Sequence, residues 1–194
     1  MSFRPVIVGI GGTTRAGSST EKALRFALDA AERLGAKTVL LGAADIAVPP
    51  YAPERPERTP EAIRLVTEMR RADGIIIASP GYHGGVSGLV KNALDYTEDM
   101  RSDDRVYFDG CSVGCIVTAA GWQGTTTTLS ALRSIVHALR GWPTPLGVCI
   151  NSTEPAFASD GTCLSQGIAD QLELLASQTV EFARARMVAA IQTP

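Results

Sequence analysis

The sequence predicts a doubly wound α/β fold: a five-stranded parallel sheet in the order 2-1-3-4-5 with helices on both faces. Three observations predict it. Short aliphatic and β-branched runs alternate along the chain with longer segments of helical apolar spacing. The short runs are apolar throughout; Ile75-Ile76-Ile77 is the clearest, and such a run suits a strand buried on both faces. Finally, glycine- and hydroxyl-rich stretches follow the first, third and fourth runs. An open α/β sheet binds its ligands there, just past the carboxyl ends of the strands.

Taken in order, residues 5–10 read as strand one and 11–20 as a loop of glycines and hydroxyls. Helix one follows, with Leu24, Ala27, Leu28, Ala31 and Leu34 on one face and Gly35 as its stop. Residues 37–42 are strand two. Residues 48–60 carry Pro49, Pro50, Pro53, Pro56 and Pro60 and form a surface loop. A short helix spans 61–72, with Ile63, Val66 and Met69 at helical spacing. Strand three runs into Ser79-Pro80-Gly81, which ends it because Pro80 cannot donate to a ladder. From Val86, the apolar positions Leu89, Val90, Ala93 and Leu94 predict a third helix. Residues 100–109 are polar and read as an exposed connection. Residues 111–120 are strand four and 121–124 a loop. A helix from Thr125 buries Leu129, Leu132, Ile135, Val136 and Leu139, and Gly141-Trp142-Pro143 ends it. Strand five is 146–150, 151–162 a loop, and the last helix spans about 164–188.

The chain has 194 residues, enough for one well-cored domain spanning 1–194. A formal charge of −2 implies no basic surface for nucleic acid. No apolar run reaches the roughly 18 residues of a membrane span. The first residues lead straight into a strand, without a signal-peptide pattern. Cys111, Cys115, Cys149 and Cys163 form no CxxC pair and read as free thiols of a cytoplasmic protein.

The first loop has the chemistry of a phosphate site. Thr13, Ser18, Ser19 and Thr20 offer hydroxyls, and Gly11, Gly12 and Gly17 let backbone amides approach an anion. Helix one points its N-terminus at the same place, and Arg15 supplies a positive charge. An ordinary turn capped by Ser18 or Thr20 accounts for the same residues. Sharper motifs fail. Ser18 stands where a P-loop needs lysine, and Thr14 where the dinucleotide fingerprint needs its third glycine. Ser87 is not in GxSxG. His137 falls within a helix. His83 sits in the second glycine loop without a carboxylate or cysteine at metal-ligand spacing. Lys91 and Asp95 suit a surface ion pair. Trp122 is either a core residue or a platform for a planar ligand.

Ser79-Pro80-x-Tyr82, followed by Ser87-Gly88-x-x-Lys91-Asn92-Ala93-Leu94-Asp95, resembles the SPxYxxxxPGxLKNALD motif of the NAD(P)H-dependent FMN reductases. These are small flavoenzymes of flavodoxin-like, three-layer fold. Gly12-Thr13-x-Arg15-x-x-Ser18 is similar to their GSxRxxS phosphate loop. The chain departs from the pattern at Ser87 for proline, Thr13 for serine, Tyr96 for tryptophan and His83 for asparagine. The cysteine-rich insertion of iron–sulfur relatives is absent, so no cluster is expected.

The resemblance implies FMN as cofactor and NAD(P)H as co-substrate. It implies that Thr13, Arg15, Ser18, Ser19 and Thr20 hold the FMN phosphate. Pro80, Gly81, Tyr82, His83 and Gly84 would run along the isoalloxazine, and Ala120 and Gly121 would border it. Gly81 would sit where the backbone comes closest to the ring. No protein side chain acts as nucleophile or acid–base group, because the flavin carries the chemistry. The acceptor is free flavin, a quinone, an azo compound or a metal ion, and a flavin-dependent monooxygenase receiving reduced flavin is a further partner. Relatives assemble as homodimers or homotetramers, with the third helix as an interface. Two other classes remain open: an electron carrier without turnover of its own, and a nucleotide-binding module without redox function. The low net charge argues against a carrier, since carriers commonly use strong acidity to dock.

Overall fold

The computed structural model describes residues 4–192. In chain order its strands are β1 (Val6–Gly11), β2 (Lys37–Leu41), β3 (Gly74–Tyr82), β4 (Gly85–Val86), β5 (Ser112–Ala119), β6 (Trp142–Pro143) and β7 (Val148–Asn151). Its helices are α1 (Ser19–Arg33), α2 (Ala43–Ile46), α3 (Pro60–Arg71), α4 (Gly88–Asp95), α5 (Trp122–Ala138) and α6 (Gln166–Gln192), with a 3₁₀ turn over Tyr96–Met100 after α4. The parallel order is β2-β1-β3-β5, followed by β6 and β7 one after the other along the outer edge of β5. The predicted order is therefore borne out, with its fifth strand in two pieces.

Alternation along the strands divides the core in two. Val8, Ile10, Ile75, Ile77, Val113 and Val117 pack towards α3, α4 and α5. Ile7, Ile76, Ala78, Ile116, Val148 and Ile150 pack towards α1 and α6. Ile75, Ile76 and Ile77 are all fully buried, as a strand covered on both faces requires, and each contributes about 1.5–3 kcal/mol of hydrophobic burial. α1 ends in a Schellman motif: the Gly35 amide donates to the Glu32 carbonyl (2.8 Å) and the Ala36 amide to that of Ala31 (3.1 Å).

Several boundaries differ from expectation, each for a physical reason. Pro80 does not end strand three, which continues to Tyr82 and pairs Pro80 with Thr118 of β5. The Ala78 carbonyl accepts from Gly12 (3.2 Å), so residue 78 bonds on the β1 side, and residue 80 must face the same side. There β1 has already ended at Gly11, and the missing proline donor costs nothing. β3 then folds back onto β4 through His83 (φ 53°) and Gly84 (φ 80°), a tight two-residue hairpin, so α4 starts at Gly88 rather than at Val86.

Trp142 and Pro143 do not simply end a helix; they pair with Ser112 and Val113 as β6. The sheet then loses register over 144–147 before β7 resumes opposite Ile116. α5 starts at Trp122, three residues earlier than predicted, and α6 spans Gln166–Gln192. The 100–109 connection is not merely exposed. Phe108 is fully buried, and Arg105 donates to the Met69, Arg70 and Ala72 carbonyls at the end of α3, a favourable place for a cation. The prolyl loop is tied down by Asn92, whose side chain donates to the Val48 (3.1 Å) and Pro49 (3.0 Å) carbonyls and accepts from the Tyr51 amide (2.8 Å). That gives the asparagine of the Lys91–Asp95 motif a structural role.

Candidate functional site

The first loop leaves β1 through Gly11, which cannot carry a side chain: a Cβ there would lie 1.9 Å from the Ala78 carbonyl oxygen. Several amides of this stretch already have acceptors. Gly12 donates to Ala78 (3.2 Å), Arg15 to Thr13 Oγ1 (3.2 Å) and Gly17 to Glu21 Oε2 (3.1 Å). The expectation that glycine amides would meet an anion is corrected for Gly12 and Gly17. Further donors stand at the helix start. The Ser19 and Thr20 amides have no acceptor among the described residues, as first-turn amides of a helix do not.

Ser18 is the N-cap, its Oγ accepting from the Glu21 amide (3.3 Å), and its hydroxyl hydrogen stays free to donate outward. The capped turn and the expected anion site are thus the same stretch of chain. Thr20 is 2% exposed and its hydroxyl lies 2.6 Å from that of Thr118, tying α1 to the end of β5. Arg15 is exposed and makes no side-chain hydrogen bond or ion pair among the described residues.

The strand-three loop stands opposite. Ser79, fully buried, accepts from the Ser87 amide on its Oγ (3.1 Å), and Ser87 caps α4 through Val90 (3.3 Å). A proline at position 87 could not make the first of these bonds. Gly81 is required by packing, not by an unusual φ: a Cβ there would lie 2.7 Å from Thr128 Oγ1 and 3.1 Å from the Ala119 Cβ. The positive φ angles fall two residues later, at His83 and Gly84.

The third loop is held by Asn151, whose Oδ1 accepts from the Gly121 amide (2.9 Å), the Thr153 amide (3.1 Å) and the Thr153 hydroxyl (2.9 Å). The Ser152 amide donates to the Ala119 carbonyl (2.9 Å). Gly121, with φ 98°, leads directly into α5.

Between the three loops lies a cavity of about 280 Å³. Thr13, Arg15, Ser18, Ser19 and Thr20 line one end, and Pro80, Gly81, Tyr82 and Ala120 the other. Of the expected site residues, His83, Gly84 and Gly121 do not line it. His83 and Gly84 form the hairpin tip beyond the cavity, and the Gly121 amide turns towards Asn151. Sequence reasoning missed Thr118, Ala119 and Ser152, which also line it. Ser152 had a signal: Asn151-Ser152-Thr153 follows a strand that the 2-1-3-4-5 order sets beside strand four, and Asn in such a position favours an Asx turn.

The donors fit a phosphate monoester: unpaired amides and hydroxyls at a helix N-terminus, and a free guanidinium beside them. Neither buried cysteine is a poised nucleophile. Burial pushes the Cys115 thiol up to about 12 and the Cys111 thiol up to about 11, so both stay protonated at neutral pH. All four cysteines are free thiols, and no cluster of metal-ligating side chains occurs among the described residues. Among those residues, no helix is long and apolar enough to cross a membrane.

The sheet order and the helices on both faces define a flavodoxin-like fold. The family model described as NADPH-dependent FMN reductase matches residues 5–154, and the chain belongs to that family. An FMN-dependent NADPH-azoreductase of Staphylococcus saprophyticus is 38% identical over 98 residues, 50% of this chain and 48% of that protein. Its Staphylococcus aureus counterpart is 35% identical over the same share. The chain thus matches about half the length of these curated relatives. Among solved structures, the fold resembles the flavoenzyme NAD(P)H:acceptor oxidoreductase FerB of Paracoccus denitrificans, with TM-score 0.76 and 19% identity over 95% of this chain and 99% of that one. It also resembles the NADH:FMN oxidoreductase EMOB, with TM-score 0.70 and 19% identity over 93% and 89% of the two chains.

Proposed function

We propose that this chain is an FMN-dependent NAD(P)H oxidoreductase that reduces a small acceptor: free flavin, a quinone, an azo compound or a metal ion. The observation that carries the reading is the cavity itself. It sets the free Ser19 and Thr20 amides and the unpaired Arg15 at one end, and the backbone of Pro80–Tyr82 and Ala119–Ala120 at the other. The phosphate of FMN suits the first end and its ring system the second. Bound there, FMN would supply two-electron redox chemistry between the nicotinamide and the acceptor. The protein's part is positional. Arg15 and the α1 amides fix the phosphate, Gly81 lets the hairpin pack closely on α5 so that Tyr82 reaches the cavity, and Tyr82, 57% exposed, stands on the acceptor side. Membership of the FMN reductase family and the names of its azoreductase relatives support the same reading.

A cytoplasmic location and a homodimer or homotetramer belong to this proposal through the resemblance. Delivery of reduced flavin to a monooxygenase remains one of the acceptor choices. The test is anaerobic. The protein mixed with FMN should hold a yellow chromophore through gel filtration, and NADH or NADPH alone should bleach it. A bound chromophore that neither dinucleotide bleaches would make the chain an electron carrier. A colourless protein would make it a module without redox function.

A further inference from the structure

A second cavity, of about 290 Å³, is lined by near neighbours in the chain of residues that line the first. Ala120 and Ser152 line the first cavity; Trp122, two residues after Ala120, and Asn151, directly before Ser152, line the second. Its size is near the lower end of the roughly 300–1,000 Å³ usual for small-molecule pockets. Trp122 stands in its wall in the first turn of α5, 62% exposed, with no aromatic, hydrogen-bonding or cationic partner for its indole among the described residues. The other tryptophan explains itself: Trp142 packs on Phe182 with ring centroids 5.6 Å apart. The backbone behind Trp122 is firmly held, because Asn151 accepts from the Gly121 amide at 2.9 Å. A large planar side chain on a fixed base, left open to solvent beside the cofactor cavity, is a stacking surface without an occupant in the chain itself.

We infer that this second cavity seats the adenosine half of the nicotinamide dinucleotide, with its purine stacked on Trp122. The inference rests on the proposed oxidoreductase reading and extends it. An acceptor must touch the flavin ring to take electrons, and so belongs in the first cavity. The dinucleotide is the reactant long enough to lay its nicotinamide there and carry a second planar ring past Ala120 and Asn151. The cavity lined by Thr14, Ala16 and Gly42 instead borders the first loop, at the end opposite Ala120. Glu154 is the single ionisable side chain lining the adenosine seat. A carboxylate there matches ribose hydroxyls, as in other NAD sites, and opposes a 2′-phosphate.

Binding and turnover test this separately. ADP-ribose, titrated into the protein by calorimetry, should bind wild type, and Trp122→Ala should weaken it about tenfold, the scale of one base–aromatic stack. Trp122→Phe, which keeps a stacking ring, should restore most of the affinity. 2′-Phospho-ADP-ribose should bind more weakly than ADP-ribose, and Glu154→Gln should narrow the difference. In anaerobic reduction of the FMN-loaded protein, the ratio of kcat/KM for NADH to that for reduced nicotinamide mononucleotide, which lacks the adenosine half, should fall about tenfold in Trp122→Ala. Unchanged ADP-ribose affinity and an unchanged ratio in Trp122→Ala overturn the seat even if the flavin is bound and reduced. Failure to bind FMN overturns the oxidoreductase reading instead, and the calorimetric arm still reports on the seat.

Discussion

Arg15 and Gly81 look alike in the sequence, as single residues in glycine-rich loops, but the structure gives them opposite tasks. Arg15 is exposed and unpaired among the described residues, so removing it disturbs no internal contact. A charge-assisted hydrogen bond is worth about 1.5–3 kcal/mol, so Arg15→Ala should weaken FMN by roughly ten- to a hundredfold and leave riboflavin nearly unaffected. Parallel fluorescence titrations of the two flavins measure this, and equal losses would remove Arg15 from the phosphate. Gly81 is defined by its neighbours. A Cβ there meets Thr128 Oγ1 at 2.7 Å, and Thr128 is fully buried, with Gly85 O 3.4 Å from its hydroxyl. Gly81→Ala should therefore destabilise the fold by about 1–3 kcal/mol through overpacking. Thr128→Ala removes the clashing atom, so the double variant should lose less than the sum of the two single losses. Urea denaturation of the four proteins decides it; strict additivity would mean that the hairpin and α5 do not press on each other at this point.

At the scale of elements, the prolyl loop is the clearest case of sequence saying where and structure saying how. Five prolines marked residues 48–60 as a loop, but nothing local revealed what fastens it. Arg58 donates to both oxygens of Asp99 (2.7 and 2.9 Å) and lies over the rings of Tyr51 and Tyr96, 4.9 and 5.5 Å from their centroids. The Arg58 hydrogen bonds hold the Asp99 carboxyl below its ordinary range against the opposing effect of burial; the arginine's charge and the Tyr51 hydroxyl add to them. A carboxyl lowered in the folded state stabilises above its unfolded pKa, near ~3.9, and loses that contribution as pH falls through the lower folded value. Asp99→Asn should thus cost about 1.5–3 kcal/mol at pH 7. The gap to wild type should hold down to about pH 5 and shrink from about pH 4 downwards. Chemical denaturation across that range tests the sign: a gap that widens in acid contradicts the clamp. α5 carries the matching lesson for helices. Its start at Trp122 was hidden because Gly121 and Gly124 made residues 121–124 read as a loop, and four threonines of modest helix propensity follow at 125–128. In place, Thr126 and Thr127 turn their hydroxyls back onto the carbonyls of Trp122 and Gln123 at 3.0 and 2.9 Å, so the helix tolerates them.

For the molecule as a whole, sheet order and the meeting of three loops were legible because both follow from strands buried on two faces and from the handedness of their crossovers. Long-range pairing was not legible. Trp142 and Pro143 become a strand only because β5 offers them an edge, and Pro80 stays in β3 only because β1 has ended beside it. Part of the site was hidden for the same reason, since Thr118 and Ser152 reach the cavity through neighbours in the sheet rather than through any local motif. The same geometry makes a global prediction. The cavity joins segments from α1, β3, β5 and the end of β7, so a ligand filling it links elements that separate on unfolding. A ligand bound only by the folded state adds about 2.7 kcal/mol at a hundredfold excess over its Kd. For a domain of this size, about 2–4 °C per kcal/mol converts that to a rise of about 5–11 °C in Tm. FMN should produce the full rise, and riboflavin at the same concentration a smaller one, because it leaves the Arg15 end empty. In Arg15→Ala the gap between the two flavins should narrow. A thermal scan in which FMN and riboflavin raise Tm equally in the wild type would place the phosphate outside the Arg15 end.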